Sequence, residues 1–482
     1  ELAALVVGSA QMWLFGVAVG VAAALLVLPL ILLRLRVLLR RRRPRTLGVL
    51  HPYCNDGGGG ERVLWVAIRE LLARGVVDAA RWRVVVYTGD AVGPAEIRAH
   101  AASRFGVDVP AEVEFVYLAC RGAIEARRYP VATLLGQALG SLVVAAEAIW
   151  RAPPDVLVDT TGLAFCYPLA RAAGVGAVAA YVHYPTITSE MVGVVASRTA
   201  AHNNSAAVAR SPLRTAAKLG YYRALAALYA FAGRRAAVVA ANGSWTAAHL
   251  RELWAGGAAV HVVFPPCDTA SLRALPLARG GGARDVVVVL SVAQFRPEKD
   301  HALQLRAFSL LRARWRAAGG RAPEPRLVLA GAVRHAADGA RLDALRDLAR
   351  ELDLAAPAVE FAFNLSVVEL RALYGRAAVG LHTMWNEHFG IGVVEMMAAG
   401  VVPVAHASGG PALDIVGTDG ASGLLAATAE EYADALASLL VADGAAKRRA
   451  TMAAAARDAV AARFSEDAFA DGFCDAMRPL FT

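Results

Sequence analysis

The chain has 482 residues, of which 57% are hydrophobic, and its 50 lysines and arginines against 41 acids give a net charge of +9. That length exceeds one ordinary domain and fits two of typical size plus an appendage. The positive charge does not point to nucleic acid: Glu1 and the seven arginines Arg34, Arg36, Arg40, Arg41, Arg42, Arg43 and Arg45 contribute +6 of it, leaving +3 for residues 46–482.

Residues 2–33 carry no charge, enough apolar chain to span a bilayer with some tilt. A cleaved signal peptide would place its basic residues before a shorter apolar core, and here they follow a long one. Residues 1–33 therefore read as a transmembrane anchor and 34–45 as a basic juxtamembrane linker. Positive charge stays on the cytoplasmic side, so the body is expected in the cytosol on a single-pass anchor. The sequons at Asn203, Asn242 and Asn364 are then expected to stay unmodified. Cys54, Cys120, Cys166, Cys267 and Cys474 are scattered with no CxxC pair. That speaks against a disulfide framework or a cysteine zinc site and suits a reducing compartment.

After Arg45 short β-branched runs alternate with longer Ala/Leu/Arg-rich stretches. The runs are Thr46–Leu50, Arg83–Tyr87, Val113–Leu118, Val156–Asp159, Ala177–His183 and Val238–Asn242. This is the pattern of parallel strands joined by crossover helices, and it gives a first Rossmann-like domain over 46–278. Phe264 to Asp268 ends a strand, and Arg279 to Arg284 reads as a flexible glycine link. A second series over 285–465 follows, with strands at Asp285–Val292, Arg326–Gly331, Val359–Phe361, Val379–His382 and Val402–Ala405. From Glu430 the tail is helical, with Leu436, Leu439 and Leu440 on one face, and residues 466–482 form a last helix that can pack back on the first domain. The fold class is thus α/β, two Rossmann-like domains facing a cleft in which ligands bind, plus an N-terminal membrane helix. Val131–Trp150 and Tyr221–Phe231 are apolar enough to be either buried helices or surface helices that dip into a bilayer.

Chemistry gathers at strand ends. Glu387 sits just after a strand, and Phe389, Gly390 and Ile391 lead into a helix that carries Glu395. Free amides at a helix start suit a diphosphate; Glu387 can reach a sugar and Glu395 a ribose. Taken alone, the same residues also fit a plain acidic helix start. Arg296 and Lys299 follow the strand ending at Val292 and can neutralise a leaving diphosphate; a solvated charged loop is the plainer alternative. Gly57, Gly58, Gly59 and Gly60 follow the first strand and can cradle a phosphate or form a tight turn. They match neither the dinucleotide nor the P-loop fingerprint. His183 ends another strand and can meet a reacting sugar or serve only the core. The sequence holds no GxSxG, HExxH or DxD motif, so no metal or other cofactor is expected and the cations carry the charge work.

These motifs resemble the retaining GT-B glycosyltransferases of family four. The segments HPYCNDGGGGERVLW, YVHYPT, FPPCD, QFRPEKDH, GLHTMWNEHFGIGVVEMMAAG and SGGPALDIV narrow the likeness to the α-1,2-mannosyltransferases of the endoplasmic reticulum that extend a dolichol-diphosphate-linked oligosaccharide, over roughly residues 46–475. The resemblance implies GDP-mannose as donor and addition of the fourth and fifth mannoses of the N-glycan precursor on the cytosolic face of the membrane. It further implies that Arg296 and Lys299 bind the donor diphosphate, Glu395 binds the ribose, and Glu387 contacts mannose near its anomeric carbon. His183 and the Gly58–Gly59 pair fall on the acceptor side, near the donor sugar and the β-phosphate. Other mannosyltransferases of the pathway are conceivable partners. The alternatives are a lipid-linked GT-B enzyme with another nucleotide sugar and a nucleotide-sugar 2-epimerase of the same architecture.

Overall fold

The computed structural model describes residues 27–40, 44–199, 204–277, 286–354 and 356–481. Most of the expected anchor, the glycine link at 279–284 and the sequon asparagine Asn203 lie outside the described residues. The chain forms two units. The first comprises residues 1–240, 249–261 and 474–482, and the second 241–248 and 262–473.

The first unit is built on a seven-stranded sheet. Its strands are β1 (Arg45–Leu50), β2 (Trp82–Thr88), β3 (Val113–Tyr117), β4 (Val156–Asp159), β5 (Ala177–Val182), β6 (Val238–Ala241) and β7 (Val260–Val262), in the order β3-β2-β1-β4-β5-β6-β7. β1 pairs in parallel with both β2 and β4, for example Val49 with Val86 and with Val158. Central parallel strands are covered on both faces, which is why β1 reads as an unbroken run and is buried from Thr46 to Leu50. The order reverses between β1 and β4, and a doubly wound sheet opens its ligand crevice at that point, beyond the carboxyl ends of the strands.

Residues 27–40 are helical, so Arg34, Arg36 and Arg40 stand on a helix. Leu33 and Val37 are buried on the body, while Leu28, Ile31, Leu32, Leu35, Leu38 and Leu39 are exposed. Arg36 Nε donates to the Trp150 carbonyl at 3.1 Å. That carbonyl belongs to the helix Thr133–Arg151, which among the described residues is long and apolar enough to cross a membrane. It buries Ser141, Val144, Ala145, Ala148 and Ile149 and exposes Leu139, Val143 and Trp150. Its single acid, Glu147, is structural: the carboxylate accepts the amides of Ala119 and Cys120, each at 2.8 Å. The helix Pro212–Gly233 likewise buries Tyr222, Leu225 and Tyr229 and exposes Leu228 and Phe231.

The second unit carries a six-stranded sheet of β8 (Val286–Val292), β9 (Glu324–Gly331), β10 (Val359–Phe363), β11 (Ala377–His382), β12 (Val402–His406) and β13 (Leu424–Ala426). The order is β10-β9-β8-β11-β12-β13, all paired in parallel, which is the Rossmann arrangement. The tail helix Ala429–Leu440 buries Leu436, Leu439 and Leu440 against this sheet. By its contacts the second unit takes in 241–248 and then 262–473, so the chain joins it before the glycine link. The reason is local: Cys267 N donates to Phe464 O at 3.3 Å and Arg457 donates to Leu275 O at 2.6 Å, tying 263–277 to that body.

Candidate active site

In the second unit, β8 and β11 are neighbours at the point where the sheet order reverses. The loop after β8 holds Arg296 and Lys299, and the loop after β11 holds Glu387. Both loops therefore emerge at the crevice end of adjacent strands. The structure brings Lys299 and Glu387 together, with Nζ 2.5 Å from Oε2. A residue not singled out from sequence, His382 at the end of β11, puts its Nε2 3.2 Å from the same oxygen. Lys299 Nζ also lies 3.1 Å from Met384 Sδ. Burial pushes the Glu387 carboxyl up, but the His382 hydrogen bond and the Lys299 ammonium outweigh it and hold the group down at about 2. Glu387 is thus a fixed carboxylate at neutral pH.

Second contacts lock this pair. Thr383 Oγ1 donates to the Lys299 carbonyl at 2.7 Å and accepts from Gln304 Nε2 at 2.8 Å, stitching the two loops together. Tyr432 Oη donates to the His382 carbonyl at 2.8 Å. On the far side, Gly410 N donates to Glu387 O at 2.7 Å and Ser408 Oγ accepts the Asn386 amide at 2.8 Å. A Cβ on Gly409 would stand 2.3 Å from Glu387 O, and one on Gly410 2.3 Å from Phe389 O. Only glycines permit that approach.

The other expected donor-site residues are placed as follows. Arg296 is exposed, with Nη1 4.0 Å from Glu298. Gly390, at φ 107, is the N-cap of the helix Ile391–Ala399, and no side chain caps that end. Its first amides are left for an anion. The Phe389 ring is buried between Phe264 (5.8 Å, stacked) and Phe464 (5.6 Å, edge-on). Glu395 lies one turn into the helix and accepts Tyr374 Oη at 3.1 Å.

In the first unit, His183 follows β5 and the glycines follow β1. Gly57 has φ +78, Gly58 is the N-cap, and Gly59 and Gly60 open the helix Gly59–Ala73. Burial raises the Glu61 carboxyl, and the backbone at Gly58 and Glu61 acts against that rise. A pocket of about 480 Å³ lies here, lined by His51, Tyr53, Gly60, Glu61, Gln137, Thr161 and His183 among others. His51 Nδ1 is 2.7 Å from Thr160 Oγ1. Burial lowers His51 to about 3, helped by the neighbouring His183, and burial lowers His183 to about 4. Both imidazoles are neutral at pH 7. His183 Nε2 is buried without a hydrogen-bond partner, 3.6 Å from where a Gly60 Cβ would sit.

Residues 44–254 match the family model described as "ALG11 mannosyltransferase N-terminus", and residues 281–459 match "Glycosyl transferases group 1". A human protein named GDP-Man:Man(3)GlcNAc(2)-PP-Dol alpha-1,2-mannosyltransferase is 40% identical, over 90% of this chain and 87% of its own length. The protein of the same name from Dictyostelium discoideum is 39% identical over 90% and 85%. The chain belongs to this mannosyltransferase family. Solved structures show the fold alone. Sucrose-phosphate synthase from Thermosynechococcus elongatus has a TM-score of 0.60 at 19% identity, covering 91% of this chain and 99% of its own. A glycosyltransferase from Rickettsia africae has 0.59 at 14%, covering 91% and 99%. The family's fold is therefore GT-B, and the Lys299–Glu387–His382 cluster occupies the switch point of its second Rossmann-like unit.

Proposed function

We propose that this chain moves mannose from GDP-mannose to Man3GlcNAc2-diphosphate-dolichol with an α-1,2 linkage, adding the fourth and fifth mannoses of the N-glycan precursor. The observation that carries the reading is the Lys299–Glu387 pair at the switch point of a chain so similar to enzymes bearing that name. Lys299 and Arg296 meet the diphosphate together with the uncapped amides at Gly390–Ile391. Glu395 holds the ribose. Glu387, ionised and fixed, contacts the mannose and stabilises positive charge growing at its anomeric carbon. His183 and the Gly57–Gly60 turn serve the acceptor.

The donor and the product are both α-linked, so the reaction is a net retention. In our reading the acceptor O2 attacks from the face that GDP leaves. The C1–O bond to the β-phosphate breaks, the C1–O2 bond forms, and the proton of the O2 hydroxyl passes to the departing phosphate oxygen. The charge of that phosphate is met by side chains and helix amides, without a metal ion. Residues 2–33 anchor the body to the endoplasmic reticulum membrane, facing the cytosol, where the arginines meet anionic head groups. Digestion of the product with an α-1,2-specific mannosidase should return the starting Man3 glycan; a resistant product overturns the linkage.

A further inference from the structure

We propose that His382 is a positioning residue for Glu387: it holds the carboxylate by Oε2 when Lys299 turns to the donor diphosphate, and so keeps Oε1 aimed at the mannose. This deepens the proposed function and rests on it for the roles of Lys299 and of the sugar.

The two oxygens of Glu387 are not equivalent. Lys299 Nζ at 2.5 Å and His382 Nε2 at 3.2 Å both converge on Oε2. Oε1 has no hydrogen-bond partner among the described residues. An ionised carboxylate accepts and cannot donate, so the histidine nitrogen is the donor. The other ring nitrogen, Nδ1, is buried without a hydrogen-bond partner among the described residues. A ring proton therefore finds its acceptor on Glu387.

The two donors differ in how firmly they are held. His382 closes β11, is buried, and pairs in register with Ala405 of β12. Its carbonyl accepts Tyr432 Oη at 2.8 Å. The ring thus hangs on a short side chain from a backbone fixed on two sides. Lys299 reaches the same oxygen on a long flexible stem from the loop after β8. Thr383 Oγ1 ties the Lys299 carbonyl at 2.7 Å, so the loop can stay in place while the side chain moves. The other contact of the ammonium is Met384 Sδ at 3.1 Å, a weak acceptor that holds it loosely. A diphosphate is a stronger acceptor and draws the ammonium away from Oε2. Glu387 is 15% exposed, and a carboxylate so far out of water is costly to leave without a donor. His382 is the donor that stays. Because it grips Oε2, the carboxylate does not rotate, and Oε1 remains the oxygen presented to the sugar.

The test uses the purified full-length chain. His382→Leu removes the donor, and His382→Gln restores an N–H at the place of Nε2. Binding of GDP-mannose and of GDP is measured by calorimetry without acceptor, and transfer is measured to a Man3GlcNAc2-diphosphate lipid. His382→Leu should lower kcat about 10²-fold, the effect of misplacing a reacting group by about 1 Å. It should weaken GDP-mannose about tenfold and leave GDP binding unchanged, since the lost contact is to the sugar. His382→Gln should recover most of both. In a Glu387→Gln background, His382→Leu should cost at most about threefold more, because a residue acting through Glu387 has nothing left to place. A merely structural histidine would lower Tm and cost the same factor in both backgrounds. An unchanged kcat in His382→Leu, no recovery in His382→Gln, or full additivity with Glu387→Gln overturns the proposal. A wild type that binds GDP-mannose more tightly than GDP but moves no mannose to the lipid overturns the proposed function, and the binding ratios of the variants then decide the role of His382. If His382→Leu melts too early to assay, His382→Asn replaces it: its amide stops short of Nε2, so it should lose what His382→Gln keeps, and equal behaviour of the two overturns the proposal.

Discussion

Replacing Lys299 with methionine separates holding the site together from doing its chemistry. The ammonium lies 2.5 Å from Glu387 Oε2, with the two side chains 23% and 15% exposed, so water screens the pair weakly. A carboxyl held at about 2 instead of 4.5 is worth about 3 kcal/mol to the folded state. Because the folded value is the lower one, that stability is fully present above pH 4.5 and is lost as pH falls toward 2. His382 and Lys299 share the effect, so Lys299→Met should cost about 1–2 kcal/mol at pH 7, a fall in Tm of about 3–6 °C. In the variant the His382 hydrogen bond still opposes the upward push of burial on the Glu387 carboxyl. A lysine that merely held Glu387 would therefore leave kcat within a few-fold of wild type. A lysine that also neutralises the leaving diphosphate should cost at least ~10²-fold in transfer. The assay is transfer from GDP-mannose at saturating acceptor, beside thermal melting of the same sample. A lowered Tm with unchanged kcat would refute the catalytic role.

Gly410→Ala should cut transfer at least ~10-fold and raise the GDP-mannose KM, because its Cβ would meet Phe389 O at 2.3 Å and push the Glu387 loop out of place; unaltered kinetics would show that the loop's position does not matter. His51 and His183 stay neutral in the folded chain down to about pH 4, while the unfolded chain protonates both below about 6.5. The unfolded state then binds more protons, so Tm should decline steadily from pH 6.5 to 4, and less steeply in His51→Gln; a flat profile contradicts the buried neutral pair. On the proposed mechanism, in which side chains and helix amides meet the diphosphate charge, transfer should persist in excess EDTA; activity lost to EDTA and restored by magnesium would assign that work to a metal.

The fold was legible where burial writes itself into composition. Val156–Asp159 and Val286–Val292 are central strands, and their apolar runs Val156–Val158 and Val286–Leu290 gave them away. β13 escaped because three residues at a sheet edge carry no pattern of their own and become a strand only by pairing with β12. The glycine link punctuates the chain, but 262–277 already pack with the second unit, through Phe264 on Phe464 and Arg457 on the Leu275 carbonyl. At the site, Lys299 and Glu387 could each be singled out because each follows a strand of the same sheet, while their contact emerges only in the structure. His382 could not: a histidine closing a strand is ordinary, and only the turn back of the Thr383–Gly390 loop sets Glu387 against it. Phe389 shows the converse, a motif neighbour whose ring the core claims.

The most direct test of the central claim is the mass of the lipid-linked product. The purified chain is incubated with GDP-mannose and a Man3GlcNAc2-diphosphate lipid, and the product is weighed by mass spectrometry. The account predicts a gain of two hexoses, with GDP released in step. A lipid of unchanged mass beside hydrolysed or epimerised sugar nucleotide, or a gain of hexose from UDP-sugars and none from GDP-mannose, would contradict it.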